Sequence, residues 1–187
     1  PEELRSLVDE AAKNITRTAI KPLGEHAALP VLLTHKAVGD LFEQLVLPNL
    51  ETRSLLDKTG AWSLEDCGSV LIPALTIEDN PHLKDSPFSA VFDFEGSPTQ
   101  PVQLLKSGVL LHPLMTSALL AEVESTYPDR QGQFHLTGHA DGPVSTSHTN
   151  LFIRLEIPSL PDLRKASYVQ IQNLTGMSVD PLTGQFA

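Results

Sequence analysis

The spacing of apolar residues changes along the chain, and that change limits the architectures open to it. Between residues 2 and 19, Leu4, Leu7, Val8, Ala11, Ala12, Ile15 and Ala19 recur at intervals of three and four, the pattern of a helix with one buried face. Pro22 and Gly24 end it. From residue 71 onward the chain breaks into short β-rich runs separated by turn residues. Helices first and strands afterwards predict an α+β domain with mixed or antiparallel sheets rather than a wound parallel sheet.

In finer detail, the run 28–33 reads as a short buried strand, and Thr34 as the N-cap of a second helix. Ala37, Val38, Leu41, Phe42, Leu45 and Val46 give that helix a continuous apolar stripe, closed by Pro48. Residues 49–70 read as a long irregular connection. Strands are expected at 71–77, 91–94, 102–105, 109–111, 150–155 and 168–171, with a tight hairpin over Lys106-Ser107-Gly108 and a short helix from Thr116 to Glu124. A last turn covers 180–184. The expected organisation is one domain over 1–187, mainly helical to residue 48 and mainly β from 71.

At 187 residues and 41% hydrophobic content the chain is long enough for one real core. The net charge of -10, with lysines and arginines scattered, argues against nucleic acid as a ligand. No apolar run approaches the length needed to cross a bilayer, and the single cysteine, Cys67, precludes an internal disulfide. A reducing, cytoplasmic setting is the expectation. Pro1 and the strand-like ending at Ala187 suggest an excerpt of a longer protein.

Few residues invite chemistry. His35, taken alone, is a helix-start histidine of the kind that sits on surfaces. His135 and His139 are four apart, but Thr137-Gly138 between them and Gly132 and Gly142 nearby predict a loop with structural or solvent-facing histidines. His26, His82, His112 and His148 have no partner in sequence. Asp93 and Glu95 precede Gly96 and are expected to serve that turn or nearby backbone amides. Ser145-Thr146-Ser147 lacks the setting of a nucleophile elbow.

Taken together, several segments resemble the TldD/PmbA family, zinc metallopeptidases also called modulators of DNA gyrase, which work as pairs of related subunits. The stretch from Pro30 to Leu33 followed by His35-Lys36-Ala37-Val38-Gly39-Asp40 resembles the strand and helix bearing the family's HExxxH motif. The runs Leu75 to Pro81, Phe92 to Thr99 and Ser107 to Leu110 resemble its acidic turn, its aspartate-x-glutamate-glycine turn and its asparagine-glycine-valine-leucine hairpin. Leu136 to Ala140, Thr149 to Ile153 and Leu174 to Phe186 are similar to its later segments, the last being the most specific. Their shared order over roughly 150 residues carries the resemblance.

The resemblance implies a C-terminal-half portion of such a protein and, residue by residue, a degenerate site. His35 matches the first zinc ligand. Lys36 stands where the glutamate base would be, and Asp40 where the second histidine would be. A protonated amine cannot take a proton from a metal-bound water. The family's further cysteine ligand falls beyond this chain, and Cys67 does not replace it. Five residues along a regular helix amount to a rotation of roughly 140°, so even an intact motif needs a local distortion. Gly39 is expected to be a packing position instead, with Lys36, Asp40 and Glu43 in solvent.

The expectation is therefore no catalytic residue, no metal and no cofactor in this chain, in contrast to zinc in active members. The function expected is that of a silent subunit in a peptide-processing assembly, paired with a related subunit as hetero- or homodimer, with a peptide as possible substrate. The alternative is a stand-alone peptide- or protein-binding scaffold.

Overall fold

The computed structural model describes residues 2–15, 29–155, 168–180, 182, 183 and 185. Helix α1 (Glu2–Ile15) is followed by strand β1 (Val31–Leu33) and helix α2 (His35–Leu41), which runs through a π-helical turn (Phe42–Val46) into α3 (Leu47–Leu50). After α4 (Thr52–Asp57) and a 3-10 turn (Leu64–Asp66) come β2 (Leu75–Asp79), β3 (Val102–Lys106), β4 (Val109–Leu110) and α5 (Ser117–Thr126). A 3-10 turn (Pro128–Arg130), β5 (Leu151–Leu155) and β6 (Val169–Ile171) complete the order. The mixture of helices with parallel and antiparallel strands is the α+β architecture expected.

The main sheet is antiparallel with strand order β4-β3-β2-β5, and a separate two-stranded sheet pairs β1 with β6 in parallel. Strand β2 lies between β3 and β5 and is buried along nearly its whole length. Ile77 pairs with Leu105 but Glu78 with Gln103, leaving Leu104 as an extra residue on β3. This bulge breaks the strict alternation and lets the consecutive Leu104 and Leu105 both reach the interior. The β3–β4 hairpin turns on Ser107 (φ 47°) and Gly108 (φ 87°), the left-handed pair that a two-residue hairpin favours. A Cβ on Gly108 would also overlap the Ile72 carbonyl.

Helices cover the sheet with Val46, Leu50, Leu55, Leu119 and Val123, which join Leu75, Ile77, Leu104, Leu105 and Leu110 in one core. The Arg53 guanidinium on α4 grips the Glu122 carboxylate on α5 with both nitrogens, at 3.1 and 2.7 Å. The Thr52 hydroxyl donates to the Leu114 carbonyl beneath that pair.

Several expectations need correction. The apolar face of α1 is not buried, since Leu4, Leu7 and Val8 are 61–67% exposed; the residues beyond Ile15 that the helix was expected to include, with its end at Pro22 and Gly24, lie outside the described residues. Strand β1 is shorter than 28–33 and half-open, because a two-stranded sheet covers little of it. Pro48 does not end the second helix. It sits in the first turn of α3, directly after the π-helical turn, and the chain stays helical to Leu50.

The region 49–70 is not irregular throughout: it contains α4 and the 3-10 turn, whose Leu55 and Leu64 are fully buried. The strand expected at 71–77 begins only at Leu75, after a turn with Ala74 at φ 64°, and extends through Glu78 and Asp79. Residues 91–94 form no strand beyond a bridge from Phe92 to Pro98, because Asp93 draws the chain into a turn. Gly39 is not a packing position, for nothing among the described residues comes within 4 Å of where its Cβ would be.

Candidate functional site

Two places bring chemistry-bearing side chains together. The first is the start of α2. Thr34, in extended backbone, caps the helix as expected: its hydroxyl accepts from the Ala37 N–H (3.3 Å) and donates to the Gln172 carbonyl (2.7 Å), while its own N–H bonds the Ile171 carbonyl (3.0 Å). The helix entry is thereby fixed to the end of β6. His35 and Lys36 are exposed beyond it.

Helix α2 is regular from His35 to Leu41, and the π-helical turn starts only at Phe42. His35 and Asp40 therefore point about 140° apart. Asp40 is not free in solvent, contrary to expectation. Its Oδ2 accepts the Leu174 N–H at 3.1 Å and faces the Lys36 ammonium at 3.4 Å, so it ties the segment after β6 to the helix. An open groove of about 610 Å³ runs beside His35, lined by Leu32, Leu33, Val38, Ile153 and Gln170.

The second place lies at the end of β2. Leu75, Ile77 and Asp79 share the inward face of the strand. Asp79 is fully buried there, and donors come from the chain entering β5. The Thr149 N–H (2.8 Å) bonds one carboxylate oxygen; the Thr149 hydroxyl and the Asn150 N–H (2.9 Å) bond the other. His139 Nε2 and His148 Nδ1 face the same carboxylate at 3.8 and 3.4 Å. Burial pushes the Asp79 carboxyl up, but the facing His139 and His148 and the bonds from Thr149 outweigh it and hold the group well below the usual carboxylate range.

Around this carboxylate the loops are tied down. The Asn150 side chain donates to the Asn80 carbonyl (2.9 Å) and accepts from the Ser86 hydroxyl. The Thr99 hydroxyl donates to the Ala90 carbonyl, which leaves His82 Nε2 as donor in its 3.0 Å contact with Thr99. Asp93 serves its turn as expected, accepting from the N–H groups of Glu95 (3.0 Å) and Ser97 (2.8 Å) and reaching that of Ala140 (3.0 Å). Glu95 receives the Ser117 N–H (2.9 Å) and hydroxyl (2.6 Å) at the start of α5, where negative charge suits the helix dipole.

Sequence reasoning missed the pairing of Asp79 with His139 and His148. Asp79 and His139 lie in segments that carry the resemblance and His148 just before one, but nothing in their spacing joins them. His135 does not join His139: its ring lies against that of His112, tilted by 52° with centres 4.1 Å apart, and its backbone N–H donates to His112 Nε2 (3.1 Å). Cys67 is buried, and burial pushes its thiol up to about 11. Among the described residues no group of three His, Cys, Asp or Glu side chains is arranged to hold a metal ion. No helix among them is long and apolar enough to cross a membrane.

Residues 26–187 match the family model of the PmbA/TldA metallopeptidase C-terminal domain. The chain belongs to the PmbA/TldD family. It is 30% identical over 135 residues to "Metalloprotease PmbA" of Escherichia coli O157:H7, an alignment covering 72% of this chain and 27% of that protein. The fold is shared with TldE from Thermococcus kodakarensis (TM-score 0.64, 20% identity, 84% of this chain and 36% of that one). It is also shared with candidate modulators of DNA gyrase from Thermotoga maritima MSB8 (0.64, 24% identity, 83% and 35%) and Bacteroides thetaiotaomicron VPI-5482 (0.66, 17% identity, 95% and 37%). The chain thus spans about a quarter to two-fifths of the length of these PmbA/TldD relatives. The metallopeptidase relation and the gyrase-modulator name both attach to the family it belongs to.

Proposed function

We propose that this chain is a catalytically silent PmbA/TldD subunit that supports a metallopeptidase assembly. The observation that carries the reading is Asp40. At the position of the family's second histidine ligand stands a carboxylate already committed to the Leu174 N–H and to Lys36. A zinc ion needs several neutral or anionic donors converging at about 2.0–2.3 Å. The donor set does not fit: His35 is the only imidazole of the motif, the ammonium of Lys36 adjoins it, and the regular turn of α2 points Asp40 elsewhere. No hydrolytic step is assigned to these residues.

What the chain contributes instead is surface. The groove beside His35 reaches β5 at Ile153, and β5 pairs only with β2 among the described strands. A strand edge next to an apolar groove suits an extended peptide, with main-chain bonds for affinity and side-chain pockets for selectivity. The partner in this reading is a related subunit with an intact histidine-glutamate motif, in a cytoplasmic heterodimer; a homodimer would be silent.

Affinity capture from the source cells tests it. The expected result is co-purification of such a subunit, with peptide cleavage by the pair and none by this chain alone. Cleavage by the isolated chain contradicts the reading. Peptide binding with no related subunit captured would favour a stand-alone scaffold, which the same groove also supports.

A further inference from the structure

Between β4 and α5 the His112 ring is held by two backbone groups. Its Nδ1 lies 2.8 Å from the Pro113 carbonyl, and its Nε2 receives the His135 backbone N–H at 3.1 Å. A carbonyl can only accept and a backbone N–H can only donate, so the proton is on Nδ1 and Nε2 offers its lone pair. The bridge therefore needs the neutral ring in one tautomer. An imidazolium would set a second N–H against that of His135, and two donors do not stay together at that distance.

The surroundings favour the neutral form. The ring is half-buried, with the Phe134 ring edge-on at 5.5 Å and the His135 ring tilted against it at 4.1 Å. Burial holds the His112 imidazole below its ordinary value; the Pro113 carbonyl works against this, and charge on His135 works with it. Pro113 and Phe134 carry no charge, and His135 is the titratable group that faces the ring. Among the described residues no carboxylate pairs with His112 to offset a proton there.

Residue 135 is the outer end of a fastened run. The Leu136 carbonyl accepts from the Gln100 side-chain amide (2.6 Å). The Thr137 hydroxyl accepts the Met115 N–H (3.0 Å), and the Thr137 N–H reaches the Met115 carbonyl (3.4 Å). Those two fastenings contain no titratable group, whereas the one at His135 depends on the His112 lone pair.

We propose that His112 is an acid-sensitive latch: protonation at Nε2 releases the His135 amide and frees the outer end of this run, while Leu136 and Thr137 stay fastened. The bond is complete above about pH 6.5, the ordinary histidine value, and is lost as pH falls through the lower value of the folded chain. The latch operates whether or not the chain serves a peptidase assembly.

An NMR titration of the isotope-labelled chain tests it. At neutral pH the His112 ring should carry its proton on Nδ1. On acidification the protection factor of the His135 amide should fall about fivefold, the worth of one net hydrogen bond, with a midpoint below about pH 6.5. Protection at Thr137 should hold. His135→Ala, at an exposed position, keeps the backbone donor and removes the neighbouring ring, so the transition should persist with its midpoint moved up. His112→Gln, which cannot titrate, should abolish it. A proton on Nε2 at neutral pH, a midpoint at or above about pH 6.5 in the wild type, or unchanged protection while His112 titrates would each overturn the proposal. So would a transition that vanishes in His135→Ala, one that persists in His112→Gln, or a simultaneous loss of protection at Thr137.

Discussion

Removing the Asp79 carboxylate should unsettle the fold more than any single surface change. In Asp79→Ala the N–H groups of Thr149 and Asn150 and the Thr149 hydroxyl lose an acceptor that is itself fully buried. The hydroxyl can turn elsewhere, but the two amides cannot. Each orphaned buried donor costs about 1–3 kcal/mol, so the expected loss is about 2–6 kcal/mol, against a total of about 5–15 kcal/mol for an ordinary domain. Asp79→Asn keeps one acceptor oxygen and sets an amide N–H₂ against one donor, for about 1–3 kcal/mol.

Urea denaturation of both variants and wild type at neutral pH measures these losses. The pH dependence gives an independent check. The folded-state pKa of Asp79 lies below its unfolded value, so its contribution is complete above about pH 4 and is lost as pH falls through the lower, folded-state value. The gap between wild type and Asp79→Asn should therefore narrow on acidification. An Asp79→Ala variant that loses less than about 1 kcal/mol would refute the account of a carboxylate pinning the start of β5.

Other outcomes follow from particular contacts. Gly39→Ala, in open space on a helix, should raise stability by about 1 kcal/mol in thermal melts. Gly138→Ala should lower it by about 2 kcal/mol or more, because φ is +68° and the new Cβ would overlap the Pro98 carbonyl. Asp40→Ala should cost about 1 kcal/mol and remove hydrogen-exchange protection at the Leu174 amide; Lys36→Ala, at an exposed pair, should change stability by less than about 0.5 kcal/mol. Cys67, buried and with its thiol pushed up to about 11, should resist iodoacetamide at pH 8 until the protein is unfolded.

Local features were legible where a residue type dictates geometry by itself. Thr34 and Thr116 cap their helices, Ser107-Gly108 turns the hairpin, and the strands at 151–155 and 169–171 fall inside the expected runs. Short helices were missed because six residues at Thr52–Asp57 show too few turns of a pattern to reveal it. The run Val91-Phe92-Asp93-Phe94 alternates like a strand, yet the Asp93 side chain bonds its own downstream amides and so makes a turn.

The Asp79 cluster was invisible for a different reason. Its members lie 60 to 71 residues apart, brought together only by the β2–β5 pairing. At the His35 motif, the use of Asp40 as a clasp on Leu174 could not be read from spacing.

Metal analysis after purification in zinc-containing buffer and desalting tests the central claim most directly. The account predicts well under one zinc per chain, unchanged by His35→Ala. One zinc per chain, lost on His35→Ala, would contradict it.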